Sequence, residues 1–160
     1  MKNFLVGVLV MVFLAACTST PTDYLAPVES YLVENIGVTS FGGKAFCAYD
    51  VLGADVRADG ADVYLWALCG EYILENSALI LGTASSLPVA LHMQKSNGQF
   101  HVTSCEIPGD GAEYMPSIQR IFPEDAIRKM CHESADCYNE RAARLQNAIE
   151  EKAREYYRLK

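Results

Sequence analysis

Two apolar runs separated by a short polar segment fill residues 44–74 of this 160-residue chain. The polar segment, residues 55–62, carries an Asp-Gly dipeptide, and β-rich runs on either side of such a turn predict a β-hairpin. Centring the hairpin near Ala58 places Cys47 opposite Cys69. Directly opposed residues have Cβ atoms ~4.5–5.5 Å apart, close to the ~3.5–4.5 Å that a disulfide spans. We therefore expect these two cysteines to be bridged, the alternative being two small buried thiols.

A second hairpin is predicted by the Asn-Gly dipeptide within residues 96–99, because Asn-Gly is the strongest short signal for a two-residue turn. The flanking runs, residues 87–95 and 100–105, alternate between apolar and polar side chains. Such alternation is typical of a sheet with one buried and one solvated face. Residues 83–86, which precede the hairpin, are interpreted as a loop. The apolar face contains Leu91, Met93, Phe100 and Val102, and the polar face contains His92, Gln94, His101 and Thr103.

Helical patterns precede and follow these strands. Residues 27–36 have apolar side chains at helical spacing, with a proline in the first turn and a glycine after the last. Residues 116–122 form a second short helix, and Pro123 begins a third. The last helix, residues 134–157, has a narrow apolar stripe that can lie on a domain surface or pair with another helix. The stripe contains Tyr138, Ala142, Leu145, Ile149, Ala153 and Tyr156.

These elements predict an α+β fold in two layers. An N-terminal helix packs on an antiparallel sheet of about four strands, and the C-terminal helices follow. We assign residues 24–131 to the α+β domain and residues 132–160 to the C-terminal helix. The order of elements resembles cystatin-like folds, in which a sheet wraps an N-terminal helix. The Pro-Gly-Asp-Gly segment at residues 108–111, with Ile-Phe-Pro at 121–123, is similar to a pattern in small uncharacterised bacterial exported proteins.

The N-terminus carries one basic residue, Lys2, followed by an apolar run at residues 4–16. As a helix this run would be roughly 20 Å long, against the ~30 Å of a bilayer core, so it is too short to span a membrane comfortably. A basic start, an apolar middle and small residues at the end are typical of a secretory signal. Two other interpretations of these residues are an ordinary signal peptide followed by chance by a cysteine, Cys17, and an N-terminal helix that is buried in the domain.

The segment Leu14-Ala15-Ala16-Cys17 resembles the lipobox of bacterial lipoproteins. The resemblance implies that residues 1–16 are removed and that Cys17 becomes an N-terminus carrying fatty acyl chains such as palmitate. Residues 17–23 then form a lipidated cysteine and a short tether. It also implies that the protein lies in the bacterial cell envelope, anchored to a membrane on its non-cytoplasmic side.

The net charge of the chain limits the classes of partner that we expect it to bind. Removal of the first 16 residues leaves 12 basic and 20 acidic residues, a net charge of −8. Nucleic acids are bound by replacing counterions with Lys and Arg, so an acidic domain argues against a nucleic-acid partner. The expected partners are the membrane, through the lipid on Cys17, and an envelope protein.

Five cysteines remain after Cys17: Cys47, Cys69, Cys105, Cys131 and Cys137. An exported compartment permits disulfides, and an odd number leaves at least one cysteine free or paired with another chain. In addition to the Cys47–Cys69 pair, Cys131 can pair with Cys137 if a turn separates them, or Cys105 can pair with either Cys131 or Cys137. No pair has C-x-x-C or zinc-finger spacing, so we expect no metal at these positions.

His92 and His101 are diagonal neighbours on the polar face of the second hairpin, with Cys105 on the same face. Two imidazoles could bind a metal or supply a general base. No third ligand is obvious, so we interpret them as partly exposed polar residues and predict neither a catalytic residue nor a cofactor.

The second strand of the first hairpin carries a stripe of large apolar side chains on one face. This stripe is part of the core if it is buried and a binding surface if it is exposed. It contains Tyr64, Trp66, Leu68 and Tyr72.

The preferred hypothesis is a non-enzymatic envelope lipoprotein whose domain has a binding or structural role. An envelope hydrolase or metal-dependent enzyme that uses His92 and His101 is the second hypothesis. A protease-inhibitor-like module, suggested by the cystatin-like order, is the third. Converging His, Cys and carboxylate groups in a pocket would favour the enzyme, whereas a flat exposed aromatic strip would favour the binding module.

Overall fold

The computed structural model describes residues 23–130 and 135–159. It contains a four-stranded antiparallel sheet in which strands adjacent in sequence are adjacent in space. The predicted α+β class is confirmed, although most helical residues follow the sheet. The strands are β1 (Lys44–Val56), β2 (Gly60–Glu75), β3 (Ala78–Ser96) and β4 (Gln99–Glu106). The helices are α1 (Val28–Asn35), α2 (Tyr114–Ile121), α3 (Glu124–Lys129) and α4 (Ala135–Tyr156).

Helices cover both faces of the sheet, so the expected two-layer arrangement is wrong and the domain has three layers. The reason lies in β2, where both sets of alternating side chains are apolar. Leu65 and Cys69 pack with α1 on one face. Trp66 and Leu68 pack with the C-terminal helices on the other. No helix in the described part of the chain is long and apolar enough to cross a bilayer.

The first hairpin has the register predicted from the sequence as far as Val51, and a bulge between Val51 and Gly53 shifts the pairing by one residue nearer the turn. Cys47 lies opposite Cys69, with Tyr49 opposite Ala67. A disulfide joins Cys47 to Cys69, and both residues are buried in the core beneath α1. The bridge therefore fixes β1 to β2 at the centre of the domain.

The hairpin between β2 and β3 was not predicted from the sequence. Glu75 pairs with Ala78 across a two-residue turn in which Asn76 and Ser77 have φ values of 48° and 65°. Two consecutive positive φ angles are typical of a type I′ turn, but an Asn-Ser pair is a weaker signal for it than Asn-Gly. As a result residues 83–86, assigned above to a loop, lie within β3.

The hairpin between β3 and β4, predicted above as the second hairpin, forms at the Asn-Gly turn, with Ser96 opposite Gln99. A bulge then shifts the register, so that His92 lies opposite Ser104 and Leu91 opposite Cys105. The extra residue in β4 reverses the alternation of its side chains. Cys105 therefore packs against the α1 side of the sheet, and its expected position beside the histidines is wrong.

A buried arginine holds α4 against the sheet. The guanidinium of Arg141 donates to Oδ2 of Asp50 over 3.1 Å and to the carbonyl oxygen of Met130 over 3.1 Å. It also lies 5.3 Å from the ring centroid of Trp66. Hydrogen bonds from Arg144 and then Arg141 hold the pKa of Asp50 below its ordinary value. The predicted stripe was therefore only partly right, since the buried α4 residues are Arg141, Leu145, Ile149 and Ala153.

Candidate functional site

His92 lies between two carboxylates supplied by neighbouring strands. Its Nδ1 is 2.8 Å from Oδ1 of Asp62 in β2, and its Nε2 is 3.2 Å from Oε1 of Glu106 in β4. The hydrogen bond to Asp62, and more weakly that to Glu106, raises the pKa of His92 above its ordinary value despite partial burial. Both ring nitrogens are thus occupied. Neither carboxylate was assigned to this histidine from the sequence, because Asp62 is 30 residues away.

The second predicted histidine does not join this cluster. His101 is exposed and lies opposite Gln94. Cys105 faces the other side of the sheet, so the three candidate side chains do not converge. Within residues 23–130 and 135–159, no group of three His, Cys, Asp or Glu side chains is arranged to hold a metal ion.

The cysteines divide into bridged and free. Cys137 is disulfide-bonded, like Cys47 and Cys69, whereas Cys105 is a free thiol. Cys105 therefore does not take part in the alternative pairing considered above. Its side chain hydrogen-bonds to Tyr31 of α1, and this contact, with burial, raises the pKa of the tyrosine to about 12. Cys17 and Cys131, like the predicted signal at residues 1–16, lie outside the described residues.

The aromatic stripe on β2 is core. Trp66, Leu68 and Tyr72 are buried beneath α4, and Tyr64 packs at the margin of the same cluster. The stripe is therefore not an exposed binding surface.

A buried carboxylate that the sequence analysis did not single out organises the loop between α1 and β1. Glu71 is fully buried, and its oxygens accept hydrogen bonds from the backbone N–H groups of Ser40, Phe41 and Gly43 at 2.8–3.0 Å. The hydroxyl of Thr83 in β3 donates to Glu71 as well, over 2.7 Å. Burial alone would raise the pKa of Glu71, but these donors together lower it to about 2. The carboxylate thus ties residues 40–43 to the sheet.

An open groove of about 750 Å³ lies along the outer edge of β1, between α1 and α4. Lys152 lies at this groove, where its Nζ is 2.7 Å from Oε1 of Glu29 and donates over 2.8 Å to the carbonyl oxygen of Cys47. Lys129 donates in the same way to the carbonyl oxygen of Leu52. Two lysines therefore cap this edge of the sheet, a device that discourages pairing with another strand.

The opposite edge is open along half of its length. β4 pairs with β3 only from Ala90 onward, so the outer edge of residues 79–88 has no neighbouring strand among the described residues. We call residues 73–89 the distal arm: they comprise the tip of the β2–β3 hairpin, which extends past β1, and the part of β3 that β4 does not cover. No Asp, Glu, Lys or Arg occurs from residue 76 to residue 91. Among the described residues, the outer edge of β3 in this arm therefore has no strand to pair its backbone groups and no charged side chain of its own to protect it.

Large apolar side chains are exposed on the distal arm and beside it. Leu74, Ile80 and Leu81 of the arm are each more than 40% exposed. Phe41, 67% exposed, lies against the arm, because a Cβ added to Gly82 would be 3.0 Å from its ring. Exposed apolar groups gathered at one end of a domain mark a binding surface more often than scattered ones do. This surface was not predicted from the sequence, because residues 83–86 were interpreted as a loop.

Comparison of the chain with protein family models, with curated proteins and with solved structures gave no match.

Proposed function

We propose that this protein is a lipoprotein of the bacterial cell envelope, anchored by acyl chains on Cys17, whose α+β domain is a non-enzymatic binding module. The exposed apolar surface and open strand edge of the distal arm carry the binding part of the proposal. The Leu-Ala-Ala-Cys sequence at residues 14–17 carries the anchoring part. Two or more acyl chains give a stable membrane anchor, whereas one gives only marginal binding.

The geometry of the sheet supports a binding role at a distance from the anchored membrane. Asp23, the first described residue, lies beside Gly98 and Gln99 at the β3–β4 turn. The tip of the distal arm, at Asn76 and Ser77, is at the other end of β2, a strand of 16 residues. At ~3.3 Å per residue that strand is about 50 Å long. A domain tethered just before Asp23 therefore presents the arm away from the membrane.

The surroundings of His92 favour binding over catalysis. A general base needs a ring nitrogen within reach of a substrate proton. In His92 both nitrogens already contact carboxylates, from Asp62 and Glu106. We therefore assign the Asp62–His92–Glu106 cluster a structural role, that of joining β2, β3 and β4.

The anchoring part is tested by mass spectrometry of the full-length protein expressed in a lipoprotein-processing bacterium. We expect a mature form that begins at Cys17 and carries acyl chains, and we expect Cys17→Ser to abolish both the acylation and the membrane association. Cys105→Ser is the matched control, because it removes the free thiol and leaves residue 17 intact. A mature form cut elsewhere and free of lipid would contradict the proposal.

A further inference from the structure

We propose that the open edge of β3 in the distal arm binds the same edge of a second copy of this chain, by antiparallel strand pairing. The inference rests on the binding role proposed for the arm and names its partner. It makes the four-stranded sheet one half of a continuous eight-stranded sheet across two protomers.

Strand alternation decides which backbone groups are available on the edge of β3. The N–H of Thr83 faces β2, 3.5 Å from the carboxylate of Glu71, and the carbonyl of His92 faces β4, where it accepts from Thr103. The backbone N–H and C=O groups of Ala84 and Ser86 therefore point away from β2. Ala78 closes the two-residue turn, so its backbone groups point toward β2 and those of Leu79 and Leu81 point away from it. A bulge between these two pairs absorbs the change of parity.

These four residues are compatible with an antiparallel copy of themselves. A twofold axis between Gly82 and Thr83 places Leu81 opposite the partner subunit's Ala84 and Leu79 opposite the partner subunit's Ser86. Each of these pairs joins two outward-pointing residues, as hydrogen-bonded antiparallel pairs require. Each also sets a large side chain against a small one. Because the contact is isologous, both rows of backbone groups are used at once.

Charge favours a second copy on this edge and not on the other. Like charges directly opposite each other destabilise strand pairing. The run from residue 76 to residue 91 contains no Asp, Glu, Lys or Arg, so two copies bring no like charges together. On the β1 edge, by contrast, Lys129 and Lys152 already occupy carbonyl oxygens of the strand. Pro88, which has no N–H to donate, limits the pairing at the β4 end of the open edge.

The experiment is photocrosslinking of the full-length protein in cell envelopes, with benzoylphenylalanine in place of Ser86. We expect an adduct of twice the monomer mass whose crosslink maps to residues 79–81 of the second copy. The matched control carries the same photoreactive group at Val51, an exposed residue of β1 on the lysine-capped edge, and should give no such adduct.

A second substitution, Ala84→Lys, places a charge on the exposed open edge and should reduce the Ser86 adduct at least tenfold while the melting temperature stays unchanged. A Ser86 adduct with a different protein, with lipid, or with nothing would overturn the inference. So would a dimer adduct that survives Ala84→Lys. These outcomes leave acylation at Cys17 unaffected, so they separate this inference from the proposed anchoring.

Discussion

The carboxylate of Glu71 in β2 accepts a 2.7 Å hydrogen bond from the hydroxyl of Thr83 in β3. Backbone N–H groups of the α1–β1 loop surround the same carboxylate. One buried side chain therefore joins two strands and a loop at the base of the distal arm. Buried donors left without an acceptor are costly, so the arm should depend on this carboxylate.

Glu71→Gln should lower the melting temperature by roughly 5–10 °C, because an amide N–H₂ then faces backbone donors that need an acceptor. The matched control is Glu75→Gln, an exposed carboxylate at the end of the same strand, which should change little. Differential scanning calorimetry at neutral pH makes the comparison. Equal melting temperatures for the wild type and Glu71→Gln would contradict the structural role.

The pKa of Glu71 also predicts an acid dependence. Its folded pKa of about 2 lies below the ordinary value of 4.5, so its contribution to stability is complete above pH 4.5 and is lost as the pH falls toward 2. The melting-temperature difference between the wild type and Glu71→Gln should therefore shrink over this range. Other carboxylates titrate in both proteins, so the difference isolates Glu71. A difference that stays constant from pH 5 to pH 2 is incompatible with the assigned pKa.

The Cys47–Cys69 bridge should be a major contributor to stability. It closes a loop with a sequence separation of 22, for which chain entropy gives about 3 kcal/mol. The double substitution of both cysteines by Ala should lower the melting temperature, whereas Cys105→Ala, which removes a free thiol, should have a smaller effect. Non-reducing peptide mapping should find the 47–69 linked peptide. Two alkylatable thiols at these positions in freshly purified protein would rule the bridge out.

His92 should make stability depend on pH in the opposite sense. Its pKa is raised, chiefly by the hydrogen bond to Asp62, so its contribution is complete below the ordinary value of 6.5 and is lost as the pH rises through the folded pKa. The stability advantage of the wild type over His92→Asn should be larger at pH 6 than at pH 9. An NMR titration reads the pKa directly, and Glu106→Gln should move it back toward 6.5. A His92 pKa that is insensitive to Glu106→Gln would refute the cluster.

Zinc should not bind at the predicted histidine pair. His92 contacts two carboxylates and His101 lies opposite Gln94, so the two imidazoles do not share a ligand position. Isothermal titration of the purified protein with zinc should show no submicromolar binding that depends on His92. Tight binding that disappears in His92→Ala would revive the metal-dependent enzyme hypothesis.

Local patterns in the sequence were sufficient for the turns and strands whose signals are local. Asn97 and Gly98 have φ values of 52° and 80°, as the type I′ turn requires, and this fixed the pairing of Ser96 with Gln99. The polar segment at residues 55–62 marks the turn of the first hairpin, and centring the two strands on it gave the register that brings Cys47 to Cys69.

Only the tertiary structure decided what depends on distant residues. The bulge in β4 moved Cys105 to the α1 face, and strand pairing placed Asp62 and Glu106 on either side of His92. The burial of Glu71 and the exposure of the distal arm depend on where β1 and β4 end relative to β2 and β3. Neither hydrophobic period nor turn propensity encodes those relative lengths, since each is a property of one segment. Packing of helices on both faces of the sheet is likewise set by contacts between segments far apart in the chain, and it decided which apolar residues became core and which became surface.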